Sequence, residues 1–326
     1  MEAKIAIPLA CVFWATSVGW AQQTPAERLI EAGHWKRARA IVEARIREAP
    51  DDPLAYLLLS QIRNAFGDHT APLQLAEKAV ALDGRTAKYH RQLAEVLGVT
   101  AQHANLVQQL FLAHRFQKEI DTALALDPRD VQALRDLMEF YLLAPGITGG
   151  DSRKAISTAE RIAALDAAEG FLARARVARP AETEALLQQA AQAQPSSYRA
   201  RIELARFYLA PAHFNPGAAE SAARQALDLD GDRAEAYAIL ARVYAGRSGG
   251  SELDAFLADA SRAVPDDLAP YYRAAEHLID AGRDAVRAER YLRAYLAQEP
   301  EGNEPTPADA ARLLDRVHVK GASLEP

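Results

Sequence analysis

The feature that most constrains this chain is a short apolar phrase, helical in pattern and closed by Pro, Gly or Ala, that recurs eight times. Its copies are EARIREAP (43–50), AEKAVALDG (76–84), DTALALDP (121–128), ERIAALDA (160–167), QQAAQAQP (188–195), RQALDLDG (224–231), ADASRAVP (258–265) and RAYLAQEP (293–300). The closing residues at 50, 84, 128, 167, 195, 231, 265 and 300 are spaced by 34, 44, 39, 28, 36, 34 and 35 residues. Proline cannot continue a helix and glycine tolerates a left-handed cap, so each phrase stops a helix where the next unit must turn back. A repeat of this length holds two helices and their turns, and such a chain grows by stacking each unit on its neighbour.

Composition supports helices throughout. Alanine, leucine, arginine and glutamate dominate, while the 17 glycines and 17 prolines gather between the apolar runs. The 44 acidic and 38 basic residues leave a net charge of −6, spread along the chain rather than blocked. Nucleic acid as the main partner would favour a basic face or stripe, so it is excluded as an expectation.

The N-terminus differs from the rest. MEAK leads into the apolar stretch 5–21, which ends in Gly19-Trp20-Ala21, with small residues where a signal peptidase reads. Residues 1–21 are therefore expected to be a signal peptide, and the protein exported to the periplasm or secreted. No membrane span is expected after cleavage; a retained anchor is the alternative, with a stretch marginal for spanning. The only cysteine, Cys11, lies in this leader, so the mature chain is expected to have neither thiol nor disulfide.

Reading on from each closing residue gives the first helix of the next unit, as in AKYHRQLAEVLG (87–98), YRARIELARFYL (198–209) and AEAYAILARVYAG (234–246). A large residue, then Leu-Ala, then an aromatic recurs: Tyr237, Leu240-Ala241, Tyr244, and Leu204-Ala205, Tyr208. In this the chain resembles the tetratricopeptide repeat (TPR) family, over roughly residues 24 to 300, and more narrowly exported bacterial TPR proteins of ill-defined role. The resemblance implies an all-α fold, a right-handed α-solenoid of antiparallel helix pairs with about eight units across 22–300. It also implies three sets of small interface residues: Ala94, Ala205 and Ala241; Ala38, Ala155 and Ala219; and Ala79, Ala123, Ala226, Ala260 and Ala294. The first unit is short, with one helix over 25–32 before Gly33 and a second beginning at Trp35. Residues 301–326 are expected to hold a capping helix (308–321) and tail, with Ala311, Leu313, Leu314 and Val317 covering the open end.

Residues 98–195 break the period. Leu106, Val107, Leu110, Phe111, Phe116 and Ile120 keep helical spacing through 99–120, so the long interval predicts two lengthened helices in a projecting hairpin. APGITGGDSRK (144–154) fills the next inter-helix turn. The 28-residue interval predicts clipped helices in unit five, near Arg179-Pro180-Ala181. A change of superhelix curvature is expected across this region.

Candidates for chemistry are sparse. Gly146-Ile147-Thr148-Gly149-Gly150 with Lys154 lacks the Gly-Lys-Ser/Thr ending of a phosphate loop and follows a helix, so a turn capped by Asp151 or Ser152 explains it. The histidines form no i, i+4 metal pair; His103 and His114, both in the long unit, would give only two ligands. Asp51-Asp52 and Asp266-Asp267 sit just after helix stops, where carboxylates favour the next helix start. No catalytic, cofactor or metal residues are assigned, and no enzyme is expected.

The TPR resemblance points to the concave groove, where the ninth position of each first helix faces inward. Those positions include Glu95, Glu139, Arg176, Arg206, Arg242 and Glu276, with Arg135, Arg199 and Tyr272 adjacent. Arginine offers a planar fork for carboxylates, so these residues predict a protein or peptide partner presenting an acidic or C-terminal segment. The alternative is that the arginines pair with Glu203, Glu235 and their neighbours. The functional expectation is a non-enzymatic protein–protein interaction scaffold in the bacterial envelope. Its rivals are an assembly subunit docking or self-associating through the 99–120 hairpin, and an enzyme or metal-binding protein using His103, His114 or the Gly-rich turn.

Overall fold

In the computed structural model the described residues are 23–322, except 69, 248, 249, 303 and 304, with side chains described to residue 317. The expected leader lies outside them.

The recurring phrase ends its helices through local chemistry. In the Leu-Asp-Gly and Leu-Asp-Pro copies the aspartate accepts the amide two residues on: Asp83 from Arg85 (2.9 Å), Asp127 from Arg129 (3.0 Å) and Asp230 from Asp232 (3.1 Å). Such a turn offers the backbone an alternative to continued helix. The carbonyl of the closing residue is then taken by the side chain six positions later. Tyr56 donates to Pro50 (2.8 Å), Tyr237 donates to Gly231 (3.2 Å), and His90 Nε2 lies 3.1 Å from the Gly84 oxygen. Asp52, Asp130, Asp166 and Ser197 cap the helices that follow, each accepting amides of the first turn.

The chain forms helix pairs in sequence order. They are α1 (Pro25–Ala32) with α2 (Trp35–Glu48), α3 (Pro53–Ala65) with α4 (Ala71–Leu82), α5 (Ala87–Gln102) with α6 (Leu106–Leu126), and α7 (Val131–Leu143) with α8 (Ser152–Leu165). Then come α9 (Ala167–Val177) with α10 (Pro180–Ala193), α11 (Tyr198–Leu209) with α12 (Pro216–Leu229), α13 (Ala234–Ala245) with α14 (Gly250–Ala263), α15 (Ala269–Asp280) with α16 (Ala285–Leu296), and α17 (Pro307–Ala322). Pairs α3–α5, α5–α7, α7–α9, α11–α13 and α13–α15 pack directly, whereas second helices of successive units have at most marginal contact. The first helices are therefore the inner, concave layer of an all-α solenoid.

Alanine makes this layering possible. All the small interface residues expected from the sequence are buried except Ala294, which is partly covered. Large side chains fill the space between: Leu58, Ile62, Leu97, Ile120, Leu134, Ile162, Ile202 and Leu240 are almost fully buried. Truncating one of these to alanine costs about 2–5 kcal/mol in a close-packed core.

The irregular units show where length was gained and lost. α5 and α6 are the lengthened pair, with 16 and 21 residues. Their joint end exposes Leu106, Val107 and Phe111, while Phe116 and Ile120 are buried. Unit five differs from expectation. α9, with 11 residues, is shorter than the other first helices from α3 to α15, which have 12 to 16, but α10 keeps 14, so most of the missing length comes from the turns. Asp166 alone separates α8 from α9. That turn forces the helices together: a Cβ on Gly170 would lie 2.4 Å from the Ala163 Cα. At the C-terminus α17 covers the last unit with Ala310, Leu313 and Val317; Ala311 points to solvent, one position out of the expected phase.

The solenoid also returns on itself. The first unit meets the turns that close units six, seven and eight. Arg233 bonds Glu31 (2.8 Å), and the Lys36 ammonium donates to the carbonyls of Asp266 (3.0 Å) and Glu299 (2.6 Å). The Lys36 amide donates to Glu301 (3.1 Å), and Gly302 packs against Ala65 and Trp35. Asp267 caps the Ala269 amide (2.8 Å), as its position predicts, but Asp266 pairs with Arg37 of the first unit instead.

Candidate functional site

Three cavities lie in a row along the concave layer as segments of a channel, and neighbouring segments share wall residues. The first, about 440 Å³, lies between α5, α6 and α7. Its walls are apolar, with Phe116 and Phe140 stacked at 4.5 Å, and its inner end carries Glu95 and Asp136. Asp136 and Glu139 also border the second cavity, about 640 Å³, which holds Arg135, Arg176, Arg199 and Arg206 against Leu172, Leu187 and Phe207. Arg206 in turn borders the third, about 600 Å³, with Arg242, Arg273 and Glu276 on one wall and Ile30 and Trp35 on the other. That last wall belongs to the first unit, so the third cavity exists only because the solenoid closes.

Charge along the channel is organised in ion pairs between units. Arg176 on α9 makes two parallel bonds to Glu139 on α7 (2.8 and 2.9 Å). Glu169 receives Arg135 (3.3 Å) from the unit before and Arg199 from the unit after. Arg206 reaches Glu203 (3.3 Å) on its own helix and Glu235 on the next unit, and Glu276 pairs with Arg273 (3.0 Å). These arginines thus pair with the glutamates of the same surface. Arg242 has no ion pair among the described residues and borders the third cavity. The Arg176–Glu139 pair, with side chains 51 % and 36 % exposed, contributes only about 0–1 kcal/mol, so an incoming carboxylate can replace that glutamate at little cost.

Burial sets the protonation of the acids. It holds Glu169 and Glu235 above the ordinary carboxylate range despite their arginine partners. Glu95 is raised for the same reason, against the pull of Arg91. Asp136 is pushed up to about 7, by burial first and by the neighbouring Glu95 second. Its Oδ2 has no hydrogen-bond partner.

The structure corrects one groove residue. Tyr272 is 5 % exposed and packs on Tyr295 in the core (ring centres 5.5 Å apart), so Arg273 and Glu276 represent α15 in the channel. Asp136, Glu169 and Trp35 line or organise the channel without having stood out in the sequence. Asp136 lies three residues before Glu139, and that helical spacing puts the two on one face. Trp35 carried no local signal, because a partner two hundred residues away puts it there.

The other candidates resolve plainly. In the Gly-rich turn the amides of Thr148, Gly149, Gly150 and Asp151 are bonded to carbonyls of Pro145, Gly146, Pro145 and Tyr141. None of these four amides is left to cradle a phosphate. Asp151 caps α8, and a Cβ on Gly150 would collide with the Ala144 carbonyl. His103 and His114 are both exposed, on the connecting turn and outer face of the long pair. Among the described residues no helix is long and apolar enough to cross a membrane.

The consecutive helix pairs, the alanine-lined interfaces and the first helices facing a concave channel define a TPR-like α-solenoid. Among solved structures the chain is similar to yeast Tom70, with 12% identity and a TM-score of 0.57 over 94% of this chain and 67% of that one. It is also similar to TTC0263, a thermophilic TPR protein of Thermus thermophilus (21% identity, TM-score 0.38, covering 70% of this chain and 99% of that one). YrrB, a TPR protein with an unusual peptide-binding site, aligns at 14% identity and TM-score 0.33 over 60% and 95% of the two chains. The Tom70 likeness spans nearly the whole array and establishes the fold. No sequence-family model matches the chain, and no curated protein sequence does.

Proposed function

We propose that this protein is a non-enzymatic protein–protein interaction scaffold whose concave channel binds an extended peptide or protein segment. One observation supports the reading: an apolar cavity, an arginine-rich one and a third bordered by Arg242 lie in a row with shared wall residues, and Arg242 has no carboxylate partner among the described residues. A segment suited to it ends in a carboxylate or acidic side chain near Arg206 and Arg242 and seats an apolar residue between Phe140 and Leu112. Exchange of weak ion pairs supplies specificity, and burial of the apolar anchor supplies affinity. The leader-like residues 1–21 support an exported setting in the bacterial envelope, which N-terminal sequencing of the exported protein tests.

Selection from a displayed library of free C-terminal peptides tests the groove. Peptides with acidic or carboxylate-terminated ends should be enriched, and Arg206→Glu with Arg242→Glu should abolish their binding. Enrichment indifferent to the carboxylate, or undiminished in the double variant, overturns the reading.

A second reading places docking on the α5–α6 end, where Val107 (77 % exposed) and Phe111 (63 % exposed) form an apolar tip. Isolated surface apolar residues are common, but a cluster on a projecting hairpin favours self-association. Sedimentation of Val107→Lys/Phe111→Glu beside the parent decides it: the parent associates and the variant does not, or neither associates and the reading fails.

A further inference from the structure

His34, the residue before α2, is buried to 1 % exposure, and neither ring nitrogen has a hydrogen bond of acceptable geometry. Its Nε2 lies 3.0 Å from an Asp232 carboxylate oxygen, and its Nδ1 lies 3.4 Å from Asp266 Oδ2. Glu301, whose side chain is sealed from solvent, completes the cluster: one donor atom each from His34, Asp266 and Glu301 lie within 4.8 Å of one another. The three residues come from the first, seventh and eighth units, so the cluster sits on the seam where the solenoid closes.

A buried imidazole that stands between carboxylates without a hydrogen bond to either is costly unless something else satisfies its ring nitrogens. Arg37 meets Asp266, and the Lys36 ammonium lies 3.7 Å from Glu301 while bonding two backbone carbonyls. No cation among the described residues contacts the His34 ring.

We propose that His34, Asp266 and Glu301 bind a divalent transition-metal ion of the zinc class, which clamps the first unit to the last two. One nitrogen and two oxygen donors suit zinc, whose bonds of about 2.0–2.2 Å set neighbouring tetrahedral donors about 3.4 Å apart. His34 Nδ1 and Asp266 Oδ2 already stand at 3.4 Å. A rotation of Glu301 closes the rest, and water takes the fourth position. The surroundings can supply the support a metal centre needs: Asp232 stands 3.0 Å from the far ring nitrogen, close enough to accept from it once the ring turns to a metal, while Arg37 and the Lys36 amide contact the two carboxylates. An imidazole with so few oxygens does not suit calcium or magnesium.

Calorimetric titration tests this on the chelator-treated full chain carrying Cys11→Ser, so that the lone thiol adds no ligand. Zinc should bind at one site per chain and raise the thermal midpoint. Glu301→Gln should weaken binding at least about tenfold, His34→Gln should abolish it, and Asp232→Asn should weaken it about 10–100-fold without changing the stoichiometry. Glu301→Gln keeps an acceptor for the Lys36 amide, so it tests the site even if the buried His34 variant fails to fold. Absence of zinc binding in the parent, equal binding by Glu301→Gln, or tighter binding of magnesium or calcium overturns the proposal.

Discussion

Lys36 donates from its ammonium group to the backbone carbonyl of Glu299 at 2.6 Å, although the two stand 263 positions apart in sequence. That bond joins the beginning of the array to its end. It changes the mechanics of the molecule, because a solenoid whose units touch only their neighbours flexes freely, whereas one fastened across its seam does not. The third cavity of the channel lies at the same seam, with walls from the first unit and from residues 206–301.

Lys36→Met keeps the aliphatic stem and removes the ammonium. Bonds to charged groups contribute about 1.5–3 kcal/mol, and here one side chain holds two carbonyls. The variant should show a lower thermal midpoint and a larger radius of gyration by small-angle X-ray scattering. Unchanged scattering would show that the seam is held elsewhere.

Asp136 should make stability fall as pH rises. Its folded pKa of about 7 lies above the ordinary 3.8, so the folded state keeps a proton that the unfolded state has lost between those values. The unfolding free energy therefore decreases with pH across that window, and the full penalty is present above it. Asp136→Asn removes the penalty. Urea titrations should find the variant more stable than the parent at pH 8, with the difference shrinking toward zero at pH 4.

Gly170 is confined by backbone, not by a movable side chain. Gly170→Ala drives a methyl into Ala163 and should cost about 1–3 kcal/mol, as overpacking does elsewhere. Gly146→Ala is the control: no atom lies within 4 Å of its Cβ, so it should change stability little. Equal midpoints for the two variants in chemical denaturation would contradict the close approach of α8 and α9.

On the proposed reading, Arg176 and Glu139 serve the channel more than the fold. Both are well exposed, so a double-mutant cycle on Arg176→Ala and Glu139→Ala should give a coupling of at most about 1 kcal/mol. A coupling of about 3 kcal/mol, the size expected of a buried pair, would make the two a structural element and weaken their assignment to exchange with a ligand.

Much of the fold was legible in the sequence because its causes are local. Asp83, Asp127 and Asp230 turn the chain within two residues, and Ala38, Ala155 and Ala219 mark close helix contacts by size alone. The groove was legible in part. Helical phase placed Glu139, Arg176 and Arg206 on the inner layer, but not Tyr272, whose ring gains more from packing on Tyr295 than from facing the channel. Unit five was misjudged because a short interval does not say whether helices or turns have been shortened. Asp166, serving both as the end of α8 and as the cap of α9, takes up the loss.

By itself the sequence determined that helices form in pairs, where they stop and which faces they bury, since each depends on residues a few positions apart. The tertiary structure alone decided that His34, Lys36 and Arg37 meet Asp232, Asp266 and Glu301. The physical reason is cumulative: small rotations between successive units add along the array, and no local motif records their sum. Read afterwards, the basic run at 36–39 and the acidic turns at 230–232, 266–267 and 299–301 are complementary. Only the summed curvature brings them within bonding distance.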